Sequence, residues 1–511
     1  MEDIQIHQNG VTNLLKKLNP SKATGPDKIP ARLLKEFAEE ISPGLTMFFS
    51  NSLDQGDLPS DWRLAFIVPA YKGNNKERSS PESYRPVSLT SICCKIMEHI
   101  ICSCVMKHLD NNNVLSDCQH GFRNNRSCES QLLITINDFA RGINDKQQID
   151  SILLDFSKAF DKVNHYKLGL KLKHYGIKGN CLNWIISFLK NRSQQVILNG
   201  SFSDPAEVLS GVPQGTVLGP LLFLIYINDM PALLHSILRL FADDAFLYRC
   251  IKSILDMYYL QEDLNQLQTW EHNWDMEFHP QKCKLLSIIN KTKPLPTSYT
   301  IHEETLESVE SAKYLGITLE KRLKWNKHVA SICSKANQRR AFLQRNLRGC
   351  TKQTKIKAYK TYVLPTIMYA SSVWNPVGES NMGLRNQLES VQRKAARFVN
   401  SDWSWESSPT EMIKKMKWIS TDCQRQINSL YMLHKIINSN IAVPITMLPK
   451  FSRDSTKFQQ SLGRVLAYSN SFVPTTTKWW NNLPASIRSI TDTDLFKTKL
   501  TEYLTSSNRF D

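Results

Sequence analysis

Two apolar runs meet at a pair of carboxylates. Ile237-Leu238-Arg239-Leu240-Phe241-Ala242 leads into Asp243-Asp244, and Ala245-Phe246-Leu247-Tyr248 leads away. Such runs interrupted by Asp read as two strands joined by a tight turn, because Asp suits hairpin turns. Upstream, Ser151-Ile152-Leu153-Leu154-Asp155-Phe156 reads as a buried strand that also ends in a carboxylate. Adjacent strands would then present three carboxylates at one end of a sheet, in an α+β core with an antiparallel hairpin at its centre. An Asp pair in a turn is, by itself, most simply a solvated turn, so the surrounding motifs must decide.

The residue types fit one chemistry. Two divalent cations about 3.5–4 Å apart can clamp the attacking and leaving oxygens of a phosphoryl transfer. Mg²⁺ takes oxygen ligands, commonly one or two carboxylates plus substrate phosphates. Asp155, Asp243 and Asp244 are therefore the candidate ligands of two Mg²⁺ ions.

Charge narrows the partner. The 511-residue chain carries a formal net charge of +17, and Lys313 to Lys360 holds 14 Lys or Arg residues against one acid, Glu320. A merely solvated helical face mixes both signs, whereas a localised basic surface suits a polyanion, nucleic acid above all. A hydrophobic share of 41% says globular, not disordered. The longest nearly uninterrupted apolar stretch, Val217 to Ile227, falls far short of the roughly 20 residues that span a bilayer, so no transmembrane helix is expected. Met1-Glu2-Asp3-Ile4 lacks the basic start and apolar run of a secretory signal; the protein is expected inside the cell, in nucleus and cytoplasm. The twelve cysteines show no paired zinc-finger spacing and read as reduced, mostly buried thiols.

Along the chain, Val11 to Leu18 and Ala31 to Ile41 read as helices, the second stopping before Ser42-Pro43-Gly44. Phe66 to Pro69 reads as a strand followed by a basic loop through Lys72, Lys76 and Arg78, and Ile92 to Leu109 as a helix. Helices at Leu168 to Tyr175, Cys181 to Lys190 and Leu260 to Trp274 alternate with strands at Gln195 to Asn199 and Lys284 to Ile289. Lys291-Thr292-Lys293-Pro294-Leu295-Pro296 marks a boundary. Beyond it, Trp325, Val329, Ile332, Ala336, Leu343 and Leu347 share one helix face, with Lys327, Lys335 and Arg345 outside it. Gln424 to Ile437 is helical, and the Trp-rich close at Lys478 to Pro484 reads as core aromatics.

Several motifs stand in order: Gly25-Pro26-Asp27, Tyr84-Arg85-Pro86-Val87-Ser88-Leu89, Gln119-His120-Gly121-Phe122-Arg123, and Leu154-Asp155-Phe156-Ser157-Lys158-Ala159-Phe160-Asp161. Ser210-Gly211-Val212-Pro213-Gln214-Gly215, Phe241-Ala242-Asp243-Asp244, Phe278-His279-Pro280-Gln281-Lys282-Cys283 and Tyr314-Leu315-Gly316 follow. With these motifs the chain resembles the reverse transcriptases of non-LTR retrotransposons, LINE-type elements close to the jockey group, over nearly its whole length. The resemblance implies a right-hand polymerase of fingers, palm and thumb, with an antiparallel palm sheet and a helical thumb and C-terminal region. It implies an N-terminal extension with the first motif at 1–60, fingers and palm at 61–292, a primer-grip hairpin and basic thumb at 293–400, and a helical region of unknown role at 401–511. The implied activity is RNA-directed DNA synthesis, with an RNA template, a DNA primer or target, deoxynucleoside triphosphates and two Mg²⁺.

The resemblance also implies roles. Asp155, Asp243 and Asp244 would bind the metals, with the Phe156 carbonyl completing one coordination shell. Lys72 and Arg85 match positions that hold the triphosphate, work suited to a point charge and a forked donor. Gln214-Gly215 would lie beside the nascent base pair, where glycine permits close backbone approach, and Phe160 against the nucleotide sugar, excluding a 2′-hydroxyl. Lys282 resembles a general acid for the pyrophosphate leaving group. Arg123 and Tyr314-Leu315-Gly316 would contact template and primer. Two positions depart from the family pattern: His279 replaces the usual Asn, and Thr216 the usual Ser. No endonuclease, RNase H carboxylate set or zinc knuckle is visible; a complete chain of this kind could copy RNA but not nick its own target. The rival readings are a truncated or domesticated copy that binds RNA without catalysis, and a maturase-like splicing cofactor.

Overall fold

The computed structural model describes residues 1–73, 77–290, 294–452, 456–460 and 463–507. Lys76 of the basic loop and Lys291 to Lys293 of the boundary segment lie outside the described residues. The chain forms two compact units. The first comprises Met1–Phe122, Asp155–Ala245 and Glu262–Pro280; the second comprises Arg123–Leu154, Phe246–Gln261 and Gln281–Asp511.

The first unit opens with helices Gln8–Lys16, Ala31–Glu36 and Ala38–Gln55. Here the expected stop before Ser42-Pro43-Gly44 is wrong, since the break falls at Phe37 and the third helix runs through Pro43. Proline has no N–H for the Glu39 carbonyl, but Ser42 Oγ donates to that oxygen instead at 3.1 Å, so the helix continues. A sheet follows in the order Tyr84–Leu89, Leu64–Tyr71, Arg192–Leu198, Ser201–Phe202, with Ala206–Val208 also paired to Arg192–Leu198. Leu64–Tyr71 lies antiparallel to Tyr84–Leu89 and parallel to Arg192–Leu198. Gly25 backs the end of the Tyr84 strand so closely that a Cβ there would meet the Thr90 carbonyl carbon at 2.6 Å.

The apolar stretch at Val217 is a buried core helix, Leu218–Ile227. Glu98, fully buried on helix Ile92–Asn111, accepts hydrogen bonds from Val217 N (2.6 Å) and Leu218 N (3.0 Å). That carboxylate satisfies two orphan donors at the helix start. Among the described residues no helix is long and apolar enough to cross a membrane.

The carboxylate-bearing sheet has the order Glu307–Ser308, Lys284–Ile288, Gln148–Asp155, Asp244–Ile251, Ile237–Phe241. The division between units falls within two of its strands, and Asp155, Asp243 and Asp244 all belong to the first unit. Gln148–Asp155 pairs antiparallel with Lys284–Ile288, as expected, but the two-residue edge strand Glu307–Ser308 pairs parallel.

In the second unit, helix Cys128–Asn144 starts at a capping box on Ser127, and its Phe139 packs edge-on against Phe246 and Tyr248. Helix Asn326–Asn346 buries Val329, Ile332, Ala336 and Leu343 and exposes Lys327, Lys335 and Arg345, as the periodicity predicts. Helices Met382–Asn400, Thr421–Ile437 and Phe472–Asn481 continue the same core, where Trp480 is buried. All twelve cysteines are free thiols, buried or half-buried.

Candidate active site

Strands Ile237–Phe241 and Asp244–Ile251 leave only Ala242 and Asp243 for their turn. Tight two-residue hairpins favour positive φ, which glycine adopts most readily. Ala242 takes φ +52° instead, a left-handed conformation that costs an alanine about 1–2 kcal/mol. The turn thereby places Asp243 and Asp244 side by side at the closed end of the hairpin.

Asp155 is fixed from the other side by the segment 277–279. His279 N donates to the Asp155 carbonyl (2.8 Å), Ser157 N donates to the Glu277 carbonyl (2.8 Å), and the Phe156 and Phe278 rings stack at 4.4 Å. The two bonds belong to the neighbours of Phe156, so its own carbonyl takes no part in them. Glu271, buried, accepts from Phe278 N and holds this segment in place. Because His279 works here through its backbone N–H, its departure from the usual Asn leaves the contact intact. Its Nδ1 is buried with no hydrogen-bond partner.

The carboxylates repel one another. Asp243 is raised above the usual carboxylate range chiefly by desolvation and then by Asp155, with Arg85 opposing; desolvation, Asp243 and Asp155 push Asp244 up to about 6. Both side chains reach solvent, yet neighbouring atoms displace much of their hydration. Among the described residues neither has a salt-bridge partner. Unneutralised oxygens of this kind suit hard divalent cations. No three His, Cys, Asp or Glu side chains among the described residues converge closely enough to hold an ion alone. A Mg²⁺ here would therefore draw further ligands from backbone, water or substrate phosphate, its normal habit.

A pH dependence follows. The folded Asp244 holds its proton more tightly than the unfolded chain, so its contribution to stability is complete below about pH 4 and lost as pH rises through about 6. Mg²⁺ should raise the melting temperature at pH 7.5 and do little at pH 5, where protons compete for the same oxygens. In metal-free protein, Asp244→Asn should raise the melting temperature at pH 7.5 but not at pH 4. Thermal melts across this range decide it; a Mg²⁺ effect of equal size at both pH values would remove the linkage.

A second group faces the carboxylates within the first unit. Arg85 is opposite Ala70 in the strand register, and Lys72 lies two residues beyond Ala70, so the pleat puts Lys72 and Arg85 on one face. Arg85 acts on Asp243; Lys72 acts on Asp161, while its Nζ donates to the Glu82 carbonyl (2.8 Å). Gln214 Nε2 donates to Asp161 Oδ1 (3.3 Å), and the Gln214 carbonyl accepts from Ser88 N (2.7 Å). Gly215 has φ +107°, and a Cβ there would meet the Ser88 carbonyl oxygen at 2.8 Å. The close backbone approach this glycine makes is to the Arg85 strand. Phe160 is half-buried, its ring stacked on the buried Phe223 at 4.5 Å.

Arg123, Lys282, Tyr314, Leu315 and Gly316 belong to the second unit. Arg123 is half-buried and Lys282 is exposed on a short turn of helix, Pro280–Lys282. Tyr314 is buried, its ring against Phe246 (4.4 Å) and its hydroxyl accepting from Gln131 Nε2 (3.3 Å). Its side chain is core, so only the turn beyond it offers a surface. That turn joins Tyr314 to Ile317 with Leu315 at φ +43° and Gly316 at φ +85°, and Tyr369 Oη donates to the Leu315 carbonyl (3.0 Å).

Three residues of this region had no role from sequence. Asp161 was visible only as the end of a motif, Glu98 as a charge in an apolar helix, and Gln119 as the first letter of a motif. In each case the partner lies far along the chain.

Residues 72–319 match the family model described as reverse transcriptase (RNA-dependent DNA polymerase). Residues 72–319 thus match a reverse transcriptase domain, and the mixed helix-and-sheet fold fits a right-hand polymerase. Its relatives are RNA-directed DNA polymerases of non-LTR retrotransposons. It is 28% identical over 404 residues to the RNA-directed DNA polymerase from mobile element jockey of Drosophila melanogaster, covering 76% of this chain and 43% of that protein. It is 29% identical over 415 residues to the probable RNA-directed DNA polymerase from transposon BS of the same species, covering 77% and 44%. The apo telomerase of Candida tropicalis, truncated from its C-terminal domain, shares 12% identity and a TM-score of 0.34 over 55% of this chain and 59% of that one, too low to support an argument. The chain spans less than half the length of these curated relatives.

Proposed function

We propose that this chain extends a primer 3′-hydroxyl with deoxynucleotides on an RNA template by two-metal phosphoryl transfer, as the polymerase of a non-LTR retrotransposon. The observation that carries the reading is the two-residue Ala242-Asp243 turn, with Ala242 at φ +52°, which sets Asp243 and Asp244 within electrostatic reach of Asp155, with Arg85 opposing at Asp243. Bound Mg²⁺ would supply Lewis acidity and neutralise developing charge. Asp155, Asp243 and Asp244 would hold it, with the Phe156 carbonyl as a further donor. Arg85 and Lys72, on one face of their sheet, would grip the triphosphate, and Gln214-Gly215 would floor the nascent pair. Phe160, braced by Phe223, would press on the sugar, and Lys282 would protonate the leaving pyrophosphate. Arg123 and the Leu315-Gly316 turn would touch template and primer, and residues 293–400 would act as a thumb whose exposed cations meet the duplex backbone.

Purified protein with a DNA primer annealed to an RNA template, Mg²⁺ and deoxynucleotides should yield extended DNA that disappears when the template is destroyed by RNase beforehand. RNA binding that weakens with salt, with no extension in Mg²⁺ or Mn²⁺, would overturn the reading in favour of a non-catalytic RNA-binding remnant.

A further inference from the structure

Ala242 occupies a conformation that alanine does not choose, so something must hold it there. The holding group is Gln119, whose side chain is buried. Its Oε1 accepts from Ala242 N (2.9 Å) and from Gly121 N (2.7 Å), and its Nε2 reaches the Ala242 carbonyl at 3.5 Å. The amide orientation is fixed by this pattern, because the flipped amide would point its NH₂ at two N–H donors. Backbone bonds flank the contact: His120 N donates to the Leu240 carbonyl and Leu240 N to the Cys118 carbonyl, both at 2.9 Å. Residues 118–120 thus run as a short parallel bridge beside the Asp243 hairpin. Gly121 completes the fit, since a Cβ there would lie 2.4 Å from Ala242 N.

Resting on the polymerase reading above, we infer that Gln119 is a positioning residue: it clamps the left-handed Ala242 and thereby sets the aim of Asp243 and Asp244. The side chain touches neither carboxylate; it acts through the turn. A residue that merely filled space would be replaceable by an isosteric apolar one. A clamp would instead become dispensable once the turn residue no longer resists its conformation.

The test pairs Gln119→Met, close in volume but without the three bonds, with Ala242→Gly, which adopts positive φ freely. Two readouts are taken: primer-extension kcat and KM, and Mn²⁺ affinity by electron paramagnetic resonance with Asp243→Asn as the site control. Gln119→Met should lower kcat at least about tenfold with the deoxynucleotide KM within about twofold, and weaken Mn²⁺ binding about tenfold. Gln119→Met with Ala242→Gly should return both to within about threefold of Ala242→Gly alone. An unimpaired Gln119→Met, or a double variant as poor as the single, would overturn the clamp. Should Gln119→Met not purify folded, Gln119→Leu, which also lacks the three bonds, carries the test by the same rescue criterion. Should the wild type bind Mn²⁺ yet extend nothing, the polymerase reading would fall, while the clamp would still be decided by the Mn²⁺ affinities.

Discussion

Asp243→Asn should lose primer extension by at least about 10³-fold while the protein melts at the same temperature or higher. The activity loss follows from what a bound metal supplies, several kcal/mol of charge stabilisation, with each 1.36 kcal/mol worth tenfold in rate. An amide cannot replace an anionic oxygen as a ligand of a hard cation. The stability effect has the opposite sign because Asp243, Asp244 and Asp155 repel one another, a repulsion that a backbone hydrogen bond and Arg85 oppose at Asp243. Removing one charge relieves that repulsion at neutral pH in the absence of metal. RNA affinity should stay within about twofold, since the cations exposed on Asn326–Asn346 are untouched. Extension and thermal melts on one preparation check both signs; retained extension would remove Asp243 from the centre.

Gly215→Ala should be the most damaging change outside the carboxylates, lowering kcat/KM by about 10²-fold. Two independent obstacles meet at this position. The backbone at φ +107° is one that side-chain-bearing residues rarely adopt, and the new methyl would stand 2.8 Å from the Ser88 carbonyl oxygen. That oxygen belongs to a strand, so it cannot swing aside as a side-chain tip would. Relief must come from parting the loop and the strand, which breaks the Ser88 N to Gln214 carbonyl bond and shifts Arg85 on the same strand. Displacements near 1 Å in such a site cost on the order of 10² in rate. Stability should fall by only about 1–3 kcal/mol, the usual cost of one strained backbone position. Gly349→Ala, where a Cβ meets nothing within 4 Å, serves as the control and should leave steady-state kinetics and melting unchanged. If Gly215→Ala keeps kcat/KM within threefold of wild type, the loop does not press on the strand as described.

Local chemistry explains which features were legible in advance. The Asp243 hairpin and the Asp155 strand rest on short apolar runs, and the stripe of Asn326–Asn346 on a period-3.6 pattern, all written within a few residues of the chain. Pro43 misled for the same reason: its missing N–H was visible, but not that Ser42 Oγ would serve the Glu39 carbonyl in its place. Tyr314 was read as part of a nucleic-acid contact, whereas its side chain is claimed by Phe246 and Gln131, a choice made by packing.

By itself the sequence determined the residue types of the site, the tight turn that carries two of the three carboxylates, and a basic surface suited to a polyanion. These depend on neighbours in the chain and on charge, both written locally. Only the tertiary structure decided how the turn is held and what the motif glycines are for. Gln119 grips Ala242 from 123 residues away, and Gly215 is pressed against Ser88. Such contacts depend on which backbone atoms come within hydrogen-bond or van der Waals distance after folding, and no local periodicity encodes that.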